Sequence, residues 1–269
     1  IRSNIQFMLK EEEKVIMFTS TTSGEGKTFT AANLAVSFAL LGKKVLVMGL
    51  DIRKPRLTTL FELNKEKIGI TNLLVHENPT REEILENITN SGVNQYLDIM
   101  PAGPIPPNPA ELVSRESLDK VFAILRKEYD YIIVDTAPVG LVTDTVVIAR
   151  IADLTVYMCR ADYTPKSSFE LINSLSSQKK LPQICIVING IDMSKKKYGY
   201  YYGYGKYGKY GRYGRYSGYG SKYGGYGSKY GGYGSYGSYG STYTSYGAYG
   251  NYSDSNYGNR NDDSIKRKK

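Results

Sequence analysis

The chain has 269 residues and a formal net charge of +9, and this charge is concentrated at the C-terminal end. Residues 1–194 contain 21 lysines and arginines and 23 acidic residues, a net of −2, whereas residues 195–269 contain 14 and 3, a net of +11. The first segment is long enough for one domain with a single hydrophobic core. The second has almost no aliphatic residues to offset its ordering entropy. We therefore predict a folded domain at 1–194 and a disordered basic tail at 195–269.

Along the folded part, apolar runs alternate with amphipathic stretches, which is the pattern of a parallel sheet covered by helices on both faces. The predicted strands, in chain order, are Val15–Ser20, Lys44–Met48, Tyr96–Met100, Tyr131–Val134, Leu154–Cys159 and Ile184–Ile188. The predicted helices are Lys27–Leu41, Arg81–Glu86, Ser117–Glu128, Thr143–Ile151 and Pro165–Ser177. The proline-rich segment Pro101–Pro109 is expected to be an ordered loop between elements.

A phosphate-loop motif, Thr21–Thr28, lies between the first predicted strand and the first predicted helix, with threonine where the first glycine usually stands. Backbone N–H groups around Gly24 and Gly26, together with the helix N-terminus, can surround phosphate oxygens. Lys27 would reach the β- and γ-phosphates and Thr28 would ligate Mg²⁺. We predict an α/β fold of the P-loop NTPase type with ATP and Mg²⁺ as cofactors. The predicted nucleotide-binding residues are Ser23, Gly24, Glu25, Gly26, Lys27, Thr28 and Phe29; the structural alternative is a glycine-rich strand-to-helix turn.

Two acidic residues follow predicted strands and point to the same edge of the sheet. Asp135 ends an apolar strand in the manner of a Walker B motif, and Asp51 follows the second strand. Carboxyl ends of parallel strands form the ligand-binding edge, so both carboxylates are candidates for Mg²⁺ binding or for accepting a proton from an attacking hydroxyl. Asp51 could alternatively cap a helix before Pro55. The predicted catalytic residues are Lys27, Asp51 and Asp135, and the predicted metal ligands are Thr28, Asp51 and Asp135.

The tail is rich in tyrosine: residues 198–257 hold 21 of the 26 tyrosines of the chain, interspersed with Gly, Ser and Lys. Joined to a nucleotide-binding domain, this segment is predicted to accept phosphoryl groups, because glycine keeps its backbone adaptable and tethering raises its local concentration. The alternative is a low-complexity segment that associates through aromatic and cation–π contacts. The predicted phosphoacceptor cluster comprises Tyr198, Tyr200, Tyr201, Tyr202, Tyr204, Tyr207, Tyr210, Tyr213 and Tyr216.

Together these motifs resemble the bacterial tyrosine kinases (BY-kinases) of capsule and exopolysaccharide export. Gly103, Pro109–Leu112, Asn189–Asp192 and the tyrosine cluster occur in the order of that family. Ile1–Ile5 resembles the end of the family's Glu-x-x-Arg-x-x-Arg helix, which contacts a neighbouring subunit in a ring, and Arg2 is the residue retained from it.

The resemblance implies ATP- and Mg²⁺-dependent autophosphorylation of the tail, with transfer from one subunit to the tail of the next in a ring-shaped homo-oligomer. It also implies a membrane activator or polysaccharide co-polymerase domain, fused or separate, and a location at the cytoplasmic face of the inner membrane. The sequence itself has no long apolar span, so we expect this piece to be soluble.

The chain departs from the family at one position of the Walker A′ motif, which usually reads Asp-x-Asp-x-Arg. Gly49 replaces the first acid, which leaves Asp51 as the remaining candidate for activating the phenol. Arg53 is the basic residue of the motif, or else a solvated surface charge.

Other functions remain possible on the sequence alone. A partitioning-type or division-site ATPase would carry a second lysine where this chain has Thr22. A nucleic-acid-binding protein could use the basic, aromatic tail, but the folded part has no net positive charge, so no nucleic acid is expected. A catalytically impaired assembly module is the third alternative, with Gly49 marking the lost chemistry. Cys159 and Cys185 are expected to be buried structural thiols, and His76 a solvated loop residue.

Overall fold

The computed structural model describes residues 1–63 and 68–192. The predicted tail, its tyrosines and the predicted domain boundary at 194 lie outside the described residues. The strands are β1 (Val15–Ser20), β2 (Val45–Leu50), β3 (Thr89–Asn90), β4 (Leu97–Met100), β5 (Tyr131–Thr136), β6 (Leu154–Arg160) and β7 (Ile184–Asn189). They form one sheet in the order β3-β4-β2-β5-β1-β6-β7, and every neighbouring pair is parallel except β3–β4.

The connections between strands carry the helices. These are α1 (Arg2–Met8), α2 (Lys27–Ala39), α3 (Leu57–Leu60), α4 (Ile70–Leu74), α5 (Arg81–Glu86), α6 (Pro109–Ser114), α7 (Glu116–Glu128), α8 (Asp144–Ile148), which continues as a 3₁₀ turn over Ala149–Ile151, and α9 (Ser168–Ser177). None of the helices in this described part of the chain is long and apolar enough to cross a bilayer.

The helices cover the sheet on both faces, as the alternation of the sequence predicted. Buried residues of α4 to α9 pack on one face, and those of α1, α2 and α3 pack on the other. Successive side chains of a strand point to opposite faces. In β2, Leu46 and Met48 therefore join the first core, whereas Val45 and Val47 join the second. The central strands β1 and β2 are buried along their whole length, which explains their continuous apolar runs.

Helix α2 lies close to the sheet because its inward face is made of small residues. Ala31 and Ala35 are fully buried and Ala39 nearly so, and their short side chains let the helix backbone approach β1 and β5. Near the end of the helix, Phe38 stacks on Tyr131 with ring centroids 4.1 Å apart. This packing fixes the helix whose first turn forms the end of the phosphate loop.

The structure corrects several predicted boundaries. Pro109 is not part of the loop but begins α6, because proline at the first helical position loses no hydrogen bond. Helix α9 begins at Ser168 rather than Pro165, and α1 continues to Met8. Helices α3, α4 and α6, of four to six residues, and the two-residue antiparallel strand β3 were not predicted, since such short runs show no clear periodicity. Helix α5, also six residues long, was predicted and begins with a capping box. Cys159 is buried and free as expected, whereas Cys185, also free, is only partly buried on an edge strand.

At the edge opposite the phosphate loop, Asp153 holds the start of β1 in place. Its carboxylate accepts hydrogen bonds from the backbone N–H groups of Lys14 and Val15, both at 2.8 Å. Arg126 donates to both oxygens, at 2.7 and 2.9 Å. Burial raises the pKa of Asp153, but these hydrogen bonds outweigh burial and hold the pKa below its ordinary value. The ionised carboxylate therefore stabilises the fold.

We expect Asp153→Asn to lower the free energy of unfolding by about 2 kcal/mol at pH 7, since charged hydrogen bonds are lost. The pKa of Asp153 in the native state lies below the unfolded value of about 3.9. The extra free energy of unfolding of the wild type is therefore complete above that pH and is lost as pH falls through the native pKa. Urea denaturation at pH 7 and at about pH 3 measures this difference. Asp119→Asn, in a more exposed ion pair with Arg150, is the control. An equal loss at both pH values would contradict the assignment.

Candidate active site

The loop between β1 and α2 has the backbone geometry of a phosphate-binding loop. Gly24 and Gly26 have φ values of +87° and +94°, in the left-handed region that side chains disfavour. Gly26 is also the N-cap of α2, so the free N–H groups of the first helical turn open toward the loop. A β-carbon on Gly26 would lie 2.2 Å from Nδ2 of Asn189, so a side chain there would displace the Asn189 amide as well as strain the backbone.

Glu25 holds this loop closed from within. Its side chain is fully buried; Oε2 accepts a hydrogen bond from the Thr22 backbone N–H at 2.8 Å, and Oε1 accepts one from the Thr164 hydroxyl. Glu25 was predicted to be a nucleotide-binding residue. Its carboxylate faces the protein in this structure, so its backbone is the part available to a ligand.

A second segment, the turn at residues 160–164 after β6, supports the loop from outside. The Tyr163 hydroxyl donates to the Ser23 carbonyl at 3.0 Å, and Nη1 of Arg160 donates to the Gly24 carbonyl at 3.3 Å. Asn189, at the end of β7, donates from Nδ2 to the Glu25 carbonyl at 3.2 Å. Sequence reasoning missed the roles of Arg160, Tyr163 and Thr164, because their contacts join segments more than 130 residues apart and leave no local pattern.

The first turn of α2 brings Lys27 and Thr28 against the end of β5. The Thr28 hydroxyl donates to Oδ2 of Asp135 at 2.7 Å. Lys27 is only 8% exposed, and burial lowers its pKa, partly offset by the charges of Asp135, Asp51 and Glu25. Among residues 1–63 and 68–192 it forms no ion pair within 4.0 Å, as expected for an ammonium group that awaits an anionic ligand.

The surroundings of the Asp135 carboxylate suit binding of a cation. Burial raises its pKa to about 7, against the hydrogen bond from Thr28 and the charge of Lys27. Its Oδ1 is buried and has no hydrogen-bond partner among the described residues. The described residues contain no cluster of three or more His, Cys, Asp or Glu side chains that could hold a metal alone. The donor set of Thr28 and Asp135 instead fits Mg²⁺, which usually takes one or two protein ligands, phosphate oxygens and waters.

Asp51 lies beside this pair but is less buried. Its backbone N–H donates to the Asp135 carbonyl at 3.0 Å. Its Oδ1 accepts from the Lys54 N–H at 3.0 Å, so the carboxylate caps the turn 51–54. It is not the N-cap of the next helix, whose N-cap is Arg56. Gly49 pairs with Asp135 across β2 and β5. Because side chains alternate between the two faces of a strand, Gly49 and, by continuation, Asp51 lie on the side of the sheet that α2 covers.

Two other predicted residues have different surroundings. Phe29 is 61% exposed in the first turn of α2, so its ring is not part of the loop. Arg53 is not simply solvated, because it forms a forked ion pair with Asp144: Nε lies 2.6 Å from Oδ2 and Nη2 lies 3.0 Å from Oδ1. Hydrogen bonding to this carboxylate raises the pKa of Arg53 above its ordinary value. The structure thus places Lys27, Asp135 and Asp51 at one edge of the sheet. Arg53 connects the turn of Asp51 to the start of α8.

A parallel sheet with a left-handed glycine loop, a buried lysine and a hydroxyl–carboxylate pair at its carboxyl edge defines a P-loop nucleotide-binding protein. The sequence matches the family described as AAA domain over residues 13–181. It is 36% identical over 203 residues to tyrosine-protein kinase YwqD of Bacillus subtilis, covering 75% of this chain and 83% of that protein. It is 35% identical over 205 residues to the putative tyrosine-protein kinase CapB of Staphylococcus aureus, covering 76% and 87%. The chain belongs to the family of bacterial tyrosine-protein kinases.

Solved structures agree with this assignment. The kinase domain of the Escherichia coli tyrosine kinase ETK superposes with a TM-score of 0.66 at 26% identity, covering 72% of this chain and 74% of that chain. The expected family and the expected P-loop α/β fold are therefore confirmed.

We expect Gly26→Ala to weaken ATP binding by about tenfold or more. The displaced loop would lose a backbone hydrogen bond to a charged phosphate oxygen, which costs about 1.5 kcal/mol. Isothermal titration calorimetry with Mg²⁺-ATP measures the affinity. Gly42→Ala is a matched control, since Gly42 also has a positive φ, of +74°, but nothing lies within 4 Å of its added β-carbon. Both variants lose about 1–2 kcal/mol of stability from backbone strain. Equal loss of ATP affinity in the two would refute the steric role of Gly26.

Proposed function

We propose that this chain transfers the γ-phosphoryl group of ATP to tyrosines of its own C-terminal segment. The observation that carries the proposal is the convergence of Lys27, the Thr28–Asp135 pair and Asp51 at one edge of the sheet. The same chain supplies the proposed acceptors, the tyrosines at 198–257. Membership of the tyrosine-kinase family supports a phenol rather than water as the acceptor.

Each residue of the site has a distinct part in this reaction. The phosphate loop and the first turn of α2 would bind the phosphate chain, and Lys27 would neutralise charge on the β- and γ-phosphates. Thr28 and Asp135 would hold Mg²⁺, which supplies charge neutralisation between the β- and γ-oxygens when bound. Asp51 would orient the phenol and accept its proton. The phenolic oxygen bonds to the γ-phosphorus, the bond from that phosphorus to the β–γ bridging oxygen breaks, and ADP leaves.

Asp51 suits the role of proton acceptor better than Asp135 does. Asp135 is buried, receives the Thr28 hydrogen bond and is assigned to the metal. Asp51 is partly exposed, so an incoming chain segment can reach its carboxylate. A phenol with a pKa of about 10 needs such an acceptor at neutral pH.

The finer organisation follows from the family resemblance. We propose transfer between subunits of a ring-type homo-oligomer, from the site of one subunit to the tail of the next. A membrane activator or polysaccharide co-polymerase, fused or separate, would hold the kinase at the cytoplasmic face of the inner membrane and link it to capsule or exopolysaccharide production. Each phosphate adds about −1.5 to −2 charge, so several would reverse the tail's charge of +11. That reversal would favour release of the tail from its neighbour.

A catalytically impaired assembly module is the second candidate, and Gly49 is the observation that favours it. This position lies opposite Asp135 in the β2–β5 register, where the family usually has a carboxylate. In this alternative the chain would bind ATP without transferring its phosphoryl group.

Intact-mass spectrometry of phosphatase-treated chain after incubation with Mg²⁺-ATP distinguishes the two candidates. We expect a ladder of phosphate additions for the wild type. Lys27→Met should abolish it, since phosphate charge is no longer neutralised, and Asp51→Asn should abolish or strongly slow it. Lys43→Met, at an exposed lysine on the opposite edge, serves as the matched control and should leave the ladder intact. ATP binding without any wild-type ladder would favour the assembly module.

We expect Gly49→Asp to lower the Mg²⁺ concentration needed for half-maximal rate severalfold, because it adds a carboxylate beside Asp135. The substitution is sterically tolerable: a β-carbon there would lie 3.4 Å from the Ala102 nitrogen and 3.7 Å from Leu57. Without Mg²⁺ the variant should melt at a lower temperature, since two adjacent carboxylates repel. Gly49→Asn has nearly the same shape without the charge and controls for size. Identical behaviour of the two variants would contradict the expectation.

A further inference from the structure

The Arg53–Asp144 ion pair connects two segments that both border the proposed active site. The planar guanidinium contacts both carboxylate oxygens, at 2.6 and 3.0 Å, which fixes distance and orientation together. The Asp144 side chain is 3% exposed and that of Arg53 is 39% exposed. Within the described part of the chain, Arg53 supplies every side-chain hydrogen bond that the Asp144 carboxylate receives. This pair is therefore much more restrained than an ordinary surface ion pair.

Asp144 begins α8, directly after the loop at residues 137–143 that follows β5, the strand of Asp135. The beginning of that loop is fixed to the phosphate loop and the strand before it. The Val139 N–H donates to the Ser20 carbonyl at 2.9 Å, and a β-carbon on Gly140 would lie 2.4 Å from the Thr21 carbonyl oxygen. The loop at 137–143 is thus held at its start by contacts with β1 and the phosphate loop, and at its end by the ion pair with Arg53.

Arg53 also belongs to the turn that carries Asp51. That turn is attached to β5 by the hydrogen bond from the Asp51 N–H to the Asp135 carbonyl, 3.0 Å long. The Lys54 N–H closes it on the Asp51 carboxylate at 3.0 Å. Because the Asp51 side chain is only partly buried, core packing does not fix it. Ile52 anchors the backbone of this turn in the core, and the ion pair of Arg53 adds a restraint from the loop after β5.

We propose that Arg53 is a positioning residue that fixes the Asp51 carboxylate relative to Asp135 and the phosphate loop by holding Asp144. The inference rests on the proposed function, since Asp51 is the group that is positioned. Loss of the pair would leave the phosphate loop, Lys27 and the Thr28–Asp135 contact in place. It should therefore slow phosphoryl transfer while leaving ATP affinity nearly unchanged.

A purely structural ion pair would behave differently. Its removal would lower stability, and kcat would fall only to the extent that unfolded protein accumulates. The forked pair of Arg150 with Asp119, with Nη2 3.0 Å and Nε 3.1 Å from Oδ2, provides a more exposed comparison pair that lies away from the proposed active site. It joins α7 to the 3₁₀ turn after α8 and has no contact with Asp51 or the phosphate loop among the described residues.

The test compares Arg53→Gln, Asp144→Asn and the double variant with Arg150→Gln and Asp119→Asn, all in the full chain. Tail phosphorylation gives kcat, calorimetry with Mg²⁺-ATP gives affinity, and hydrogen exchange reports the backbone amides of residues 50–54. We expect both single variants to lose about tenfold to a hundredfold in kcat, as misplacement of a reacting group does. ATP affinity should change less than threefold, and the double variant should lose no more than either single variant. Arg53→Lys, which keeps the charge without the fork and is the least disruptive to folding, should lose less.

Exchange should be faster at residues 51–54 in both single variants and unchanged in the Arg150 and Asp119 controls. This readout does not depend on catalysis, so it separates the two hypotheses. If wild-type chain transfers no phosphate, the proposed function fails, and the exchange result alone decides whether Arg53 fixes the turn. Wild-type kcat in Arg53→Gln, additive losses in the double variant, or unchanged exchange at 51–54 would each overturn the positioning role.

Discussion

The register of three neighbouring parallel strands is the constraint on which the site depends. β5 lies between β1 and β2, and Asp135 pairs with Phe18 on one side and Gly49 on the other. This register places the end of β5 between the phosphate loop and the turn after β2. A shift of one residue would turn Asp135 to the opposite face of the sheet, away from α2 and Thr28. The backbone ladder therefore determines the chemistry before any side chain makes a contact.

On this scaffold, the site contains two ionisable side chains in a buried environment. Lys27 and Asp135 are both withdrawn from water, and burial shifts the pKa of each toward its neutral form. Neighbouring groups oppose this shift: Asp135 and Asp51 favour the charged form of Lys27, and Thr28 and Lys27 favour that of Asp135. An incoming polyphosphate and its cation would satisfy both groups at once, which explains why a lysine and an aspartate tolerate burial here.

The surrounding contacts hold this arrangement from three directions. Glu25 closes the phosphate loop from within, the turn at 160–164 and Asn189 hold it from outside, and Arg53 fixes the turn that carries Asp51. The loop thus depends on β6 and β7 as well as on its own glycines. In the proposed function, this rigidity lets positioning and charge neutralisation, the main contributions to phosphoryl transfer, come from residues set in place before the acceptor arrives.

The sequence by itself determined the strand–helix alternation, the phosphate loop, and the family, because strand and helix periodicities and a contiguous motif are local properties of the chain. It also placed Asp51 and Asp135 after strands, and parallel pairing then implies a shared edge. Only the tertiary structure decided that Glu25 turns inward to Thr164, 139 residues away, and that Arg53 pairs with Asp144, 91 residues away. Such contacts have no periodicity, since they depend on which loops the sheet order brings together. The short helices escaped prediction for a related reason: tertiary packing, rather than local propensity, stabilises them.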